Sequence, residues 1–220
     1  MKLHHLRRNA TLAVTAVALS LSLAACGDDG DDKKSSSGSD DDTAMTSEEG
    51  AEAQTFGDGC AQVPTDGPGS FDGMVMDPVA TAASNNPLLA TLVAAVGAVD
   101  GLGDTLNGAE ALTVFAPFNG AFEEIDPADL NALLEGGAKD GQDSTLYKIL
   151  AHHVLGENDD ADAVAGDKDT LAGDTLTIEG DAESGMTVTD GTVTANVICG
   201  NVPTANATVY VIDKVLTGVK

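Results

Sequence analysis

Apolar positions along this chain fall into three textures. Residues 10–23 form an apolar run diluted only by Thr11, Thr15, Ser20 and Ser22. Residues 27–59 show no hydrophobic period. From about residue 78 onward, short apolar stretches alternate with Gly, Pro, Asn and Asp, the punctuation of a folded domain. The first of these stretches are rich in Ala and Leu. Asp77-Pro78 and Asn86-Pro87 each pair an N-cap residue with a proline suited to the first helical turn. They predict a short helix over 79–83 and a longer one over 88–99, stopped by Gly101 and Gly103. The run 112–116 is β-branched or apolar, ends at Pro117 and predicts a strand. Asn119 then caps a helix over 121–125. Further helices are expected over 127–134, with Gly136-Gly137 ending the pattern, and from Asp143-Ser144 through Leu146, Ile149 and Leu150.

Beyond Gly156 the period changes. Residues 176–178, 186–189, 192–197 and 208–212 are short runs rich in Val, Thr and Ile, and Asp190-Gly191 is a two-residue hairpin signal. A helical first half followed by a strand-rich second half predicts an α+β domain, its helices packed on a wedge of antiparallel β-sheet.

The amino-terminal texture is a leader. Lys2, Arg7 and Arg8 precede an apolar run of 14 residues, short of the ~20 that a membrane-crossing helix needs. Leu23-Ala24-Ala25-Cys26 resembles the bacterial lipobox, which implies cleavage after residue 25 and a diacylglyceryl group on the Cys26 thiol. Two acyl chains of the palmitate kind give lasting attachment where one is marginal. An ordinary secretory cleavage site with an incidental cysteine is the alternative. The expected organisation is a signal peptide over 1–25, a lipidated cysteine and disordered acidic tether over 26–59, and one folded domain over 60–220. The tether carries Asp28, Asp29, Asp31, Asp32, Asp40, Asp41 and Asp42 around Ser35-Ser36-Ser37-Gly38, and reads as a self-repelling spacer. It lacks the spacing of a calcium loop.

Charge narrows the partners. Losing Lys2, Arg7 and Arg8 and no acid takes the formal charge from −26 to −29. Such a chain is repelled by nucleic acid and by anionic headgroups, so its link to the membrane has to be covalent. Aromatics are 3% and Trp is absent, so one hydrophobic core is built mainly from Ala, Val, Leu and Ile. With Cys26 lipidated, Cys60 and Cys199 remain as an even pair in an oxidising compartment. A disulfide between them is expected, with two separate buried thiols as the alternative.

Candidate chemistry is sparse. His152 and His153 are the histidines left once the leader is removed. Adjacent helical residues point about 100° apart, unlike the i, i+4 pair of a zincin. One packed and one exposed histidine is the expected arrangement. No nucleophile elbow or phosphate loop is present, and no cofactor or metal is implied. Asn206-Ala207-Thr208 and Asn9-Ala10-Thr11 match a glycosylation sequon by chance. A hydrolase would need a pair such as His153 with an Asp.

Leu112-Thr113-Val114-Phe115-Ala116-Pro117-Phe118-Asn119-Gly120-Ala121-Phe122 resembles the first conserved block of fasciclin (FAS1) domains. Residues 88–106 are similar to the helical stretch that precedes this block in the family. Ile149-Leu150-Ala151-His152-His153-Val154 stands where members carry L-x-Y-H-V, and Ala205-Asn206-Ala207-Thr208-Val209-Tyr210-Val211-Ile212-Asp213-Lys214-Val215-Leu216 resembles the second block. Phe118 replaces the usual Thr, His152 the usual Tyr, and Asn206-Ala207 the usual Asn-Gly. The cysteine placement and residues 78–87 resemble the mycobacterial surface lipoproteins and secreted antigens of the family, in which the two cysteines pair.

The resemblance implies a single FAS1-type domain; read from the residues themselves, Val114, Phe115 and Phe122 are expected to fill the core and Asp213 to anchor a turn by accepting backbone N–H bonds. The resemblance also implies a module that is no enzyme and acts in adhesion or protein–protein contact at the cell surface. The partner is a surface protein or glycan not identifiable from the sequence. Some animal members use a Tyr–His pair in cell attachment, which makes His152 and His153 the candidate contact residues. A small-ligand or lipid carrier at the membrane is the alternative, its cavity bordered by the apolar helical half. The expected location is the extracytoplasmic face of the cell membrane.

Overall fold

A computed structural model describes residues 50–219. The expected signal peptide, the expected lipidation site Cys26 and the expected tether up to residue 49 lie outside the described residues. Helices α1 (Phe71–Met74), α2 (Val79–Asn85), α3 (Ala90–Ala98) and α4 (Leu102–Gly108) lead into strand β1 (Leu112–Pro117). Helices α5 (Asn119–Glu123), α6 (Pro127–Asp140) and α7 (Thr145–His152) follow. The rest is β-structure: β2 (Val154–Leu155), β3 (Gly166–Asp169), β4 (Thr175–Asp181), β5 (Gly185–Thr189), β6 (Thr194–Pro203) and β7 (Ala207–Ile212).

The strands form a sheet of order β2-β1-β7-β6-β5-β4-β3. The α+β reading holds, but the sheet is mixed rather than antiparallel. β1 and β7 run parallel, with Leu112 beside Ala207 and Pro117 beside Ile212. They are separated by the whole intervening chain, which is ample for the crossover that parallel neighbours require. The other ladders are antiparallel. Leu155, in the edge strand β2, also bridges Thr170, one residue past the opposite edge strand β3. The sheet therefore curls almost into a barrel.

β1 and β7 are buried along their full length. Leu112, Val114 and Ala116 of β1 join the helix-side cluster with Val209 and Val211 of β7. Phe115, Tyr210 and Ile212 point the other way, into a cluster inside the curled sheet with Leu176, Ile178 and Val188. The single core expected from composition is thus two clusters sharing one pair of two-sided strands, which is why both strands read as unbroken apolar runs. Val114, Phe115 and Phe122 are all buried, as expected.

Of two termini predicted from local signals, one is built differently. Gly136-Gly137 does not end α6, which runs on to Asp140. Gly137 is where α6 meets α7: a Cβ there would stand 2.6 Å from Leu146 Cδ2. The amino end of α7 matches expectation, with Ser144 Oγ accepting the Tyr147 amide at 3.1 Å.

Residues 50–59, read above as the end of the tether, belong to the domain. Ala51–Gln54 make a 3-10 turn, Phe56 bridges Gly200, and Asn201 Nδ2 donates to Gln54 O at 2.9 Å. The Phe56 ring lies 6.4 Å from Tyr210. Cys60 and Cys199 are joined in a disulfide that pins this strap to β6. Apolar contact and a covalent tie offset the entropy of ordering a polar segment.

Candidate functional site

α7 delivers the two histidines to the seam between the helices and the curled sheet. Neither is at the surface: His152 is 1% exposed and His153 3%. This corrects both the candidate contact role and the expected exposure of one of the two. The rings are edge-on, 89° apart in plane with centroids 6.1 Å apart, so they serve different neighbours.

His153 Nε2 accepts the Leu216 amide at 3.0 Å, which places the ring proton on Nδ1, where it meets Ile149 O at 2.7 Å. Burial lowers its pKa to about 4, helped by the neighbouring His152 and opposed by Ile149 O and Asp190. His153 is therefore neutral at ordinary pH and ties α7 to the carboxyl-terminal segment.

His152 turns toward two carboxylates on sheet loops. Its Nδ1 is 2.6 Å from Asp174 Oδ1, while Nε2 stands 3.7 Å from Asp190 Oδ2, beyond a direct hydrogen bond. Burial pushes the Asp174 carboxyl up, but hydrogen bonds from the Thr170 hydroxyl and His152 outweigh it and hold the pKa below its usual value. Burial likewise pushes Asp190 up, and the Val193, Thr192 and Gly218 amides outweigh it. The acid–base pair imagined for His153 belongs to His152 instead, and it is enclosed. Among the described residues no group of His, Cys, Asp or Glu is placed to hold a metal ion.

Asparagines in and beside the family blocks act at long range. Asn206 Oδ1 accepts the Val79 amide at 2.8 Å, and Asn107 Oδ1 accepts the Ala80 amide at 2.9 Å. These two residues cap α2 from outside, where Asp77 was expected to do so. Asp77 instead accepts from Asn85 Nδ2 at 3.1 Å. Asn119 does not cap α5; its Oδ1 accepts the Thr91 amide at 3.0 Å and so caps α3. Asn86, by contrast, caps its own 3-10 turn through the Leu88 amide. Asp213 accepts both the Asn196 amide and Asn196 Nδ2, at 2.7 and 2.6 Å, which links β6 to the turn after β7.

Pinned this way, α2, α3 and α4 stand apart from β1 and α7 around a cleft of about 370 Å³. Its walls include Ala83, Val93, Val96 and Leu106, with Val114 and Val154 of the sheet behind them. Asp104 is its one charged lining residue besides the neutral His153. α3 is apolar on nearly every face, Ala-Thr-Leu-Val-Ala-Ala-Val-Gly-Ala, and one stripe of it faces the cleft. That all-round apolarity is the signal by which the cleft was legible in sequence.

The fasciclin domain profile matches residues 87–218. The chain is 42% identical over 172 residues to the cell surface glycolipoprotein MPB83 of Mycobacterium bovis, covering 74% of this chain and 72% of that one. The same figures hold for the cell surface glycolipoprotein MPT83 of Mycobacterium tuberculosis. Identity to the immunogenic protein MPB70 of Mycobacterium bovis is 42% over 178 residues, covering 77% and 86%. A FAS1 domain pair from the insect cell adhesion molecule fasciclin I is similar with a TM-score of 0.46 at 23% identity, over 59% of this chain and 44% of that one. With more than half of its length matched by the profile, the chain belongs to the fasciclin domain family.

Proposed function

We propose that this protein is a lipid-anchored surface protein whose fasciclin domain acts in adhesion or protein–protein contact on the extracytoplasmic face of the membrane. The observation that carries the reading is the 42% identity, across about three quarters of the chain, to cell surface glycolipoproteins. The lipobox-like Leu23-Ala24-Ala25-Cys26 supports the anchor, and the acidic stretch before the domain supports a stalk that holds it clear of the membrane. The partner on this reading is a surface protein or glycan, and the charge of the chain disfavours nucleic acid.

Two measurements test it. Intact mass of protein taken from the membrane fraction of producing cells should show cleavage before Cys26 and added acyl groups. An unmodified polypeptide in the cytosol rejects the anchor. The chain secreted as Cys26→Ser, used as bait on intact cells, should recover a defined protein or glycan; repeated failure rejects contact.

A further inference from the structure

We propose that the cleft between α2, α3, α4, α7 and β1 binds the hydrocarbon tail of a neutral, hydroxyl-headed lipid. This goes beyond the contact reading and is independent of it. Size comes first. A volume of about 370 Å³ lies within the roughly 300–1,000 Å³ of small-molecule sites. At about 30 Å³ per water-sized group it holds on the order of a dozen CH₂ units.

The walls suit a hydrocarbon. Val93 and Val96 of α3 are half-buried, with Leu106 and Ala83 on the flanking helices. His153 presents no hydrogen-bonding need, because both ring nitrogens are already used, one on Ile149 O and one on the Leu216 amide. A tail lying against it strands no polar group, which is the usual cost of apolar burial beside a histidine. Leu171 lines the cleft while remaining 51% exposed, one of two large hydrophobic side chains so exposed among the described residues. A seated chain covers it.

Charge selects the head group. No Lys or Arg lines the cleft, and Asp104 does. A fatty acid carboxylate or a phosphate head meets a like charge with no cation to pair it, on a strongly acidic protein. A hydroxyl head meets Thr81 and Asn107 instead. Asn107 Nδ2 donates to Thr81 Oγ1 at 3.1 Å, which leaves the Thr81 hydroxyl proton for a ligand oxygen.

The test uses the chain secreted as Cys26→Ser, which removes the site of its own expected acylation. N-phenyl-1-naphthylamine, a neutral dye that brightens in apolar sites, reports occupancy, and the protein has no Trp to interfere. Dodecan-1-ol should displace the dye at least tenfold better than dodecanoate at pH 8. Across a series of alcohols, affinity should rise with each CH₂ up to about a dozen carbons and then level.

Gly97 lines the cleft with open space where its Cβ would stand, so Gly97→Phe should fold, fill the space and weaken dodecanol binding at least tenfold. Leu171→Ser, at an exposed position, should weaken it several-fold without changing the melting temperature. Equal binding of alcohol and carboxylate overturns the neutral-head assignment. Dye uptake unaffected by both variants overturns the site, as does the absence of any saturable binding.

Discussion

The side-chain oxygen of Asn206 accepts the Val79 amide at 2.8 Å across 127 residues of chain. Its nitrogen donates to Leu106 O and Ala109 O at 2.9 Å each. One carboxamide thus caps α2, receives the end of α4 and sits just before β7. The sequon at this asparagine is consequently unsuited to modification, since all of its side-chain polar atoms are engaged.

Replacing Asn206 with Ala removes a helix cap and strands two carbonyls. A cap is worth about 1 kcal/mol and each unsatisfied buried group about 1–3 kcal/mol. The expected loss is about 3 kcal/mol in urea unfolding. Asn206→Asp keeps the acceptor but loses both donated bonds, so it should recover only a minor share. If Asn206→Asp matches the wild type, the carbonyl contacts carry no energy.

Adjacent glycines in α6 should respond with opposite signs. A Cβ on Gly136 meets nothing within 4 Å, whereas one on Gly137 meets Leu146 Cδ2 at 2.6 Å. Gly136→Ala should stabilise by about 0.5–1 kcal/mol through helix propensity. Gly137→Ala should destabilise by about 1–3 kcal/mol through overpacking against α7. Melting temperatures of the two variants check this directly. Equal shifts would mean that the α6–α7 contact is looser than drawn.

These cases show where sequence reasoning reaches and where it stops. β1 and β7 were visible as apolar runs because both of their faces are buried. β3, Gly-Asp-Lys-Asp, was invisible because it is a charged edge strand with no buried alternation. Ser144 and Asn86 cap helices beginning next to them, so their roles could be read from neighbours in sequence. Asn107, Asn119 and Asn206 cap helices that begin elsewhere, and no local window contains both partners. The histidine pair is plain in the sequence, but its burial depends on two sheet loops that bring Asp174 and Asp190 over α7. The apolar helical half did announce a cavity. What it could not announce was which helices stand apart to form it.

Acid should loosen the seam. The folded-state pKa of His153, at about 4, lies below its usual 6.5, so the unfolded chain binds the proton more readily. Stability from this residue is present above about pH 6.5 and declines as pH falls toward 4, on the order of 3 kcal/mol in all. Asp174 and Asp190, both held below their usual pKa, lose stability in the same direction at still lower pH. Urea midpoints between pH 7.5 and 4.5 should fall steadily. His153→Gln should flatten that slope; an unchanged slope would place the titration elsewhere.

The sulfur bridge between Cys60 and Cys199 spans 139 positions and makes a closed ring of helices α1 to α7 and strands β1 to β5. Tension applied between the amino-terminal strap and the carboxyl-terminal strand has a short covalent route, from Cys60 straight into β6 and on to β7. The ring hangs beside that route and is spared the stretch. Under that load only the strap before Cys60 and the segment after Cys199, which carries the interior strand β7, can lengthen, while the loop that bears the helices cannot be drawn out.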